Sequence, residues 1–139
     1  MNMIKKISIA TTLGLFAILT SVSSIAAGAP DISGTYMCTG YDPTYASSPH
    51  FTETLVLQKN RDVYRVQILN NQSTIPNFIG TAIFNNDVND AISIIYWSIK
   101  RPNNPANEFF TIKPDGSLEG IYLDTGESTP NTMSCTKSG

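Results

Sequence analysis

The chain has 139 residues, of which 14% are charged, with 9 basic against 11 acidic side chains and 41% hydrophobic residues. That is room for one small domain, and no stretch gathers the Lys and Arg that nucleic acid or an anionic membrane surface requires of a partner. Its two cysteines, Cys38 and Cys135, lie far apart and outside any Cys-x-x-Cys, which argues against a redox motif or a metal site.

Lys5 and Lys6 precede an apolar run from Ile7 to Leu19, and Ser24, Ile25 and Ala26 follow with small-x-small spacing. This is the pattern of a cleaved secretory signal, read here as residues 1–26. The run is shorter than the ~20 residues needed to cross a bilayer. No cysteine stands at the cleavage point, so no lipid anchor is expected. Residues 27–139 then form one domain, secreted or periplasmic, with no membrane insertion after cleavage. In such an oxidising compartment Cys38 and Cys135 are expected to pair. Closing a loop of nearly ~100 residues contributes about 4–5 kcal/mol in the chain-entropy model.

Beyond the signal, apolar residues alternate with period two, and Asn, Asp, Gly and Pro separate the runs. Eight strands are expected: 33–39, 51–58, 62–69, 77–84, 91–99, 107–113, 117–123 and 131–137. The first carries Tyr36 and Cys38. His50, the single histidine, follows Pro49 in a loop and is read as solvated, without the convergent partners of a catalytic or metal site. A turn at Asn60-Arg61 would set Leu57 by Tyr64, Leu55 by Val66 and Glu53 by Ile68. Glu53 then shares a face with Phe51, Leu55 and Leu57. It either reaches water at the strand end or sits in an apolar pocket, where it would need a partner such as Tyr64 or Arg65.

The polar stretches 85–90 and 102–107 read as loops. Between them lies "AISIIYWSI", apolar on both faces. Ile95 and Trp97 are assigned inward, with Ile92, Ile94 and Tyr96 outward as an interaction surface for a second copy or another protein. In "EFFTIKPDGSLEGIYL" the turn "KPDGS" has Pro where φ is preset and Gly where φ turns positive. It pairs Ile112 with Leu118, Phe110 with Gly120 and Phe109 with Ile121. The final strand carries Cys135.

Eight strands joined by short connections make a meander, which leaves the first and last as bare edges. A Cys38–Cys135 bond across those edges points to an all-β, up-and-down antiparallel barrel of about eight strands. A two-sheet sandwich is the alternative. The expected interior is Tyr36, Leu55, Leu57, Tyr64, Val66, Ile95, Trp97, Phe110, Ile112 and Tyr122, with Gly34, Gly80, Ala82 and Gly120 leaving space.

"GTYMCTGYDP", with Gly34, Tyr36, Cys38, Gly40, Asp42 and Pro43, resembles the start of small exported bacterial barrels of the calycin type. The late hairpin with Asp115, Gly116, Leu118, Gly120 and Tyr122 is similar to their second recurring signal. The resemblance implies the barrel fold and a lipocalin-like shape, and it brings no catalytic residue.

No nucleophile turn, acid–base pair, metal set or cofactor motif stands out. The leading functional reading is an exported, non-catalytic binding module that recognises another macromolecule through its surface or loops, with inhibition as a special case. A carrier with a small apolar ligand inside the barrel is the alternative, and a hydrolytic enzyme comes third. A ligand-sized cavity favours the carrier; a filled core favours surface recognition.

Overall fold

In the computed structural model, residues 29–44, 47–70, 73–85 and 88–138 are described, and the expected signal segment 1–26 lies outside them. The alternating pattern becomes eight antiparallel strands: β1 Gly34–Tyr41, β2 His50–Asn60, β3 Val63–Asn70, β4 Phe78–Asn85, β5 Val88–Ser98, β6 Arg101–Ile112, β7 Leu118–Leu123 and β8 Asn131–Ser138. Each pairs with the next and β8 pairs with β1, so the sheet closes into an up-and-down barrel without an open edge. No helix occurs among the described residues.

Cys38 and Cys135 face each other directly across the β1–β8 seam and are disulfide-bonded at a sequence separation of 97. Both point inward and are buried, so the bond lies within the core at the seam where the two ends of the chain meet. A disulfide is consistent with an oxidising compartment.

Because side chains alternate, one parity of each strand fills the barrel. Tyr36, Leu55, Leu57, Tyr64, Val66, Phe110 and Tyr122 are buried inside as the sequence pattern predicts, and Ile112 packs partly buried against them. Ile68, Leu118 and Met133 complete the wall.

β5 has the opposite facing. Ile92, Ile94 and Tyr96 are 2%, 0% and 6% exposed inside the barrel, whereas Ile95 is 51% exposed outside and Trp97 is half-buried on that same outer side. The reason is register. β5 pairs Ile94 with Ala82 and Tyr96 with Gly80 on one side, and Ile92 with Phe110 and Tyr96 with Ala106 on the other. Ala82 beside Ile94, and Gly80 and Ala106 beside Tyr96, are small inward positions that accept this face. A strand apolar on both faces carries no internal signal of which parity wins.

The β2–β3 hairpin also differs from expectation. Its turn is Arg61-Asp62, with Arg61 at φ 59°, so Asn60 pairs with Val63, Leu57 with Val66, Leu55 with Ile68 and Glu53 with Asn70. The slip is an even number of residues, so every side chain keeps its expected face. Residues 102–107 are not a loop but the first half of β6. A register shift at Trp97/Ser98 absorbs the extra length, and Pro102 and Pro105 are tolerated at that irregularity. Likewise Asn85 and Val88 pair within a hairpin, which draws 85–90 into β4 and β5, with 86–87 outside the described residues.

The "KPDGS" turn forms as read: the Lys113 amide donates to the Ser117 carbonyl at 2.8 Å, and Gly116 takes φ 81°. Phe110 faces Gly120 across the β6–β7 pair. A Cβ at Gly120 would run into the Phe109 and Phe110 backbone, so close strand approach itself requires the glycine.

One end of the barrel is plugged. Ile32, 3% exposed, enters beneath β1; the Tyr36 hydroxyl donates to its carbonyl at 3.0 Å, and its amide donates to the Tyr64 hydroxyl at 3.4 Å. Tyr64 in turn donates to Asp31 Oδ1 at 3.3 Å.

Candidate functional site at the open end

Toward the other end, the inward parity turns from apolar to polar on four strands, three of them supplying an acid. Glu53 lies two residues before Leu55 on β2, Asn70 two after Ile68 on β3, Glu108 two before Phe110 on β6, and Asp124 two beyond Tyr122 of β7. Antiparallel pairing brings all four to the same end. There the barrel holds an open cavity of about 660 Å³, lined by Asp42, Ser48, His50, Phe51, Thr52, Glu53, Asn70, Phe78, Tyr96, Tyr122, Asp124 and Met133. Two edge-to-face aromatic pairs brace its walls: Phe51 with Tyr122 at 5.7 Å and Phe78 with Tyr96 at 5.6 Å between ring centroids.

Glu108 is the most confined acid. It is 1% exposed, sits across from Tyr122 on β7 and Ile94 on β5, and neither carboxyl oxygen completes a hydrogen bond. Burial first, and the charge of Glu53 next, raise its pKa well above the ordinary carboxyl value; the Tyr96 hydroxyl offsets part of the rise and Asp124 adds to it. Glu53 is pushed up to about 7, by burial and then by Asp124. Asp124 is raised by burial, Glu127 and Asp42, against the lowering effect of Tyr96. Tyr96 holds its proton more tightly than a free phenol because it is buried among these acids.

None of these shifts has a Lys or Arg among its causes. The acids crowd one another without an internal counter-ion. Lys100 and Arg101 line an adjoining groove of about 400 Å³, which shares Phe78, Tyr96 and Asp124 with the cavity. Asp42 is engaged locally: its Oδ1 accepts from the Thr44 amide at 2.8 Å and the Thr44 hydroxyl at 2.6 Å.

His50 is the exposed first residue of β2, stacked obliquely on Tyr41 at 5.0 Å, and lies on the cavity rim. Among the described residues no three His, Cys, Asp or Glu side chains are grouped to share a metal ion. Of the sequence-expected interior, only Tyr122 lines the cavity; Tyr36, Leu55, Leu57, Tyr64, Val66 and Phe110 belong to the filled half below it. Tyr96, expected on the outer wall, is part of the cavity wall. Glu108 and Asp124 escaped the sequence reading. Alternation from Phe110 and Ile112 does place Glu108 inward, and that was the available signal.

The fold and this cavity define a small eight-stranded barrel, plugged at one end and open over a cluster of carboxyl groups at the other. Comparison of the chain with protein families, curated proteins and solved structures yields no match in any of the three.

Proposed function

We propose that the protein is an exported small-ligand carrier that admits its ligand to the open half of the barrel. The observation that carries this reading is the cavity of about 660 Å³ standing over a filled lower half. Its size falls in the range of about 300–1,000 Å³ usual for small-molecule sites, and its mixture of aromatic walls with a few convergent polar groups is the expected lining. Export rests on the sequence pattern of residues 1–26 and on the Cys38–Cys135 bond, which suit a secreted or periplasmic protein. The calycin-type resemblance agrees with this use of a barrel. Nothing in the lining calls for a chemical step, so the proposal is binding without catalysis.

The test is binding of N-phenyl-1-naphthylamine, a neutral fluorescent probe. One equivalent should bind the wild-type protein, and Asn70→Trp, which fills the mouth, should abolish binding. Binding that survives the filled mouth, or no binding to the wild type, removes the carrier reading.

Surface recognition keeps a second, independent support on the outer wall. Ile83 pairs with Ser93, Ser93 with Phe109, and Phe109 with Ile121, so a lateral row carries three apolar side chains that are 41–51% exposed. Self-association or a protein partner through this row replaces the Ile92–Ile94–Tyr96 surface. It predicts that Phe109→Lys lowers the sedimentation coefficient of an associated species; a monomer in both forms counts against self-association.

A further inference from the structure

The carboxyl cluster points to what the cavity holds, and this inference rests on the carrier reading above. We infer that the ligand is a protonated amine with an apolar body, its N–H groups meeting Glu53 and Asp124 of the lining and its body lying against the Phe51–Tyr122 and Phe78–Tyr96 pairs.

Three observations converge. The acids at this end face one another with no internal cation to balance them. A buried like-charged cluster is unfavourable unless it is protonated or paired. Glu108, 1% exposed and outside the cavity lining, is acted on by both Glu53 and Asp124 and adds a third buried carboxyl to their surroundings. The Glu53 and Asp124 carboxyls of the lining accept N–H donors, which a primary ammonium supplies and a trimethylated one does not. The walls are aromatic, and ring faces and edges suit a cation with an apolar tail.

Capture of the cation ionises the cluster, and a proton leaves Glu53 for the buffer. Binding therefore tightens as pH rises and loosens as the acids protonate. The titratable side chains at or near this space are Glu53 and His50 on β2, Tyr96 on β5, Glu108 on β6, Tyr122 on β7 with Asp124 and Glu127 after it, and Asp42 after β1. Lys100 and Arg101 stand in the adjoining groove. β3, β4 and β8 present the non-titrating Asn70, Phe78 and Met133.

The experiment is calorimetric titration of the full exported protein with 3-phenylpropylammonium, 3-phenylpropan-1-ol and 3-phenylpropanoate, which share one carbon skeleton. At pH 8 the ammonium should bind at least roughly tenfold tighter than the alcohol, and the propanoate weakest. The advantage should shrink roughly tenfold at pH 5.5, and buffers of different ionisation enthalpy should report proton release at about pH 6.5. In Glu53→Gln the ammonium-to-alcohol ratio should approach one. Asp124→Asn, on the more exposed rim, provides a second variant and should reduce the ratio less. Alcohol or propanoate binding as tightly as the ammonium leaves the cavity a ligand site and overturns the cation. An advantage that survives both substitutions overturns its placement. Binding of none of the three removes the carrier reading together with this inference. An N-trimethylated analogue as tight as the primary ammonium overturns the role given to the Glu53 and Asp124 oxygens.

Discussion

Glu53→Gln should change how stability depends on pH, and the size of the change follows from the site. Burial and then Asp124 lift the Glu53 pKa from 4.5 to about 7. Between those values the native protein holds a proton that the unfolded chain has released. The contribution to stability is therefore complete below about pH 4.5 and is lost as pH rises through about 7. At 1.36 kcal/mol per pKa unit the whole loss is about 3 kcal/mol, somewhat less because the side chain keeps some solvent contact at the strand end. Glutamine does not titrate. The variant should match wild type within about 0.5 kcal/mol at pH 4 and exceed it by about 2–3 kcal/mol at pH 8. Urea denaturation of the disulfide-intact proteins at the two pH values measures this directly. Parallel loss of stability in wild type and variant, or a Gln variant weaker than wild type at pH 8, would refute the placement of Glu53 among buried acids.

Ile94→Lys should unfold the protein, because Ile94 is 0% exposed between Ala82 and Glu108, whereas Ile95→Lys should leave the circular dichroism spectrum and melting curve almost unchanged. The reverse outcome would restore the outward assignment of Ile94. Non-reducing peptide mapping should recover Cys38 linked to Cys135, and Cys38→Ser should cost about 2–5 kcal/mol in chemical denaturation; two free thiols in the exported protein would contradict the closed seam. Ile32→Ala opens the plugged end and should cost about 2–4 kcal/mol, with no effect on probe binding at the other end. Gly120→Ala should destabilise by more than about 1 kcal/mol, since its Cβ meets backbone rather than a movable side chain. A neutral result there would show that β6 and β7 can separate without cost.

Much of the fold was determined by local sequence alone. Period-two alternation predicts strands, and Pro and Gly in "KPDGS" set a turn whose register carries Ile112, Phe110 and Phe109 to their partners. Two cysteines at opposite ends of a meander point to closure, since bare edges need pairing and one crosslink can lie only at the seam. What the sequence left open was decided by contacts between distant strands. β5 is apolar on both faces, so its own pattern is degenerate. Gly80, Ala82 and Ala106 on the strands beside it make room for Ile94 and Tyr96 and send Ile95 and Trp97 outward. The hairpin of β2 and β3 slipped by an even step because Asn-Arg holds no turn as firmly as Asn-Gly would, and faces survive an even slip. The acidic cavity belongs wholly to the tertiary structure. Glu53, Glu108 and Asp124 are far apart in the chain and unremarkable one at a time. Only closure of the barrel turns them toward one space, where burial and mutual repulsion give each a chemistry that none has alone.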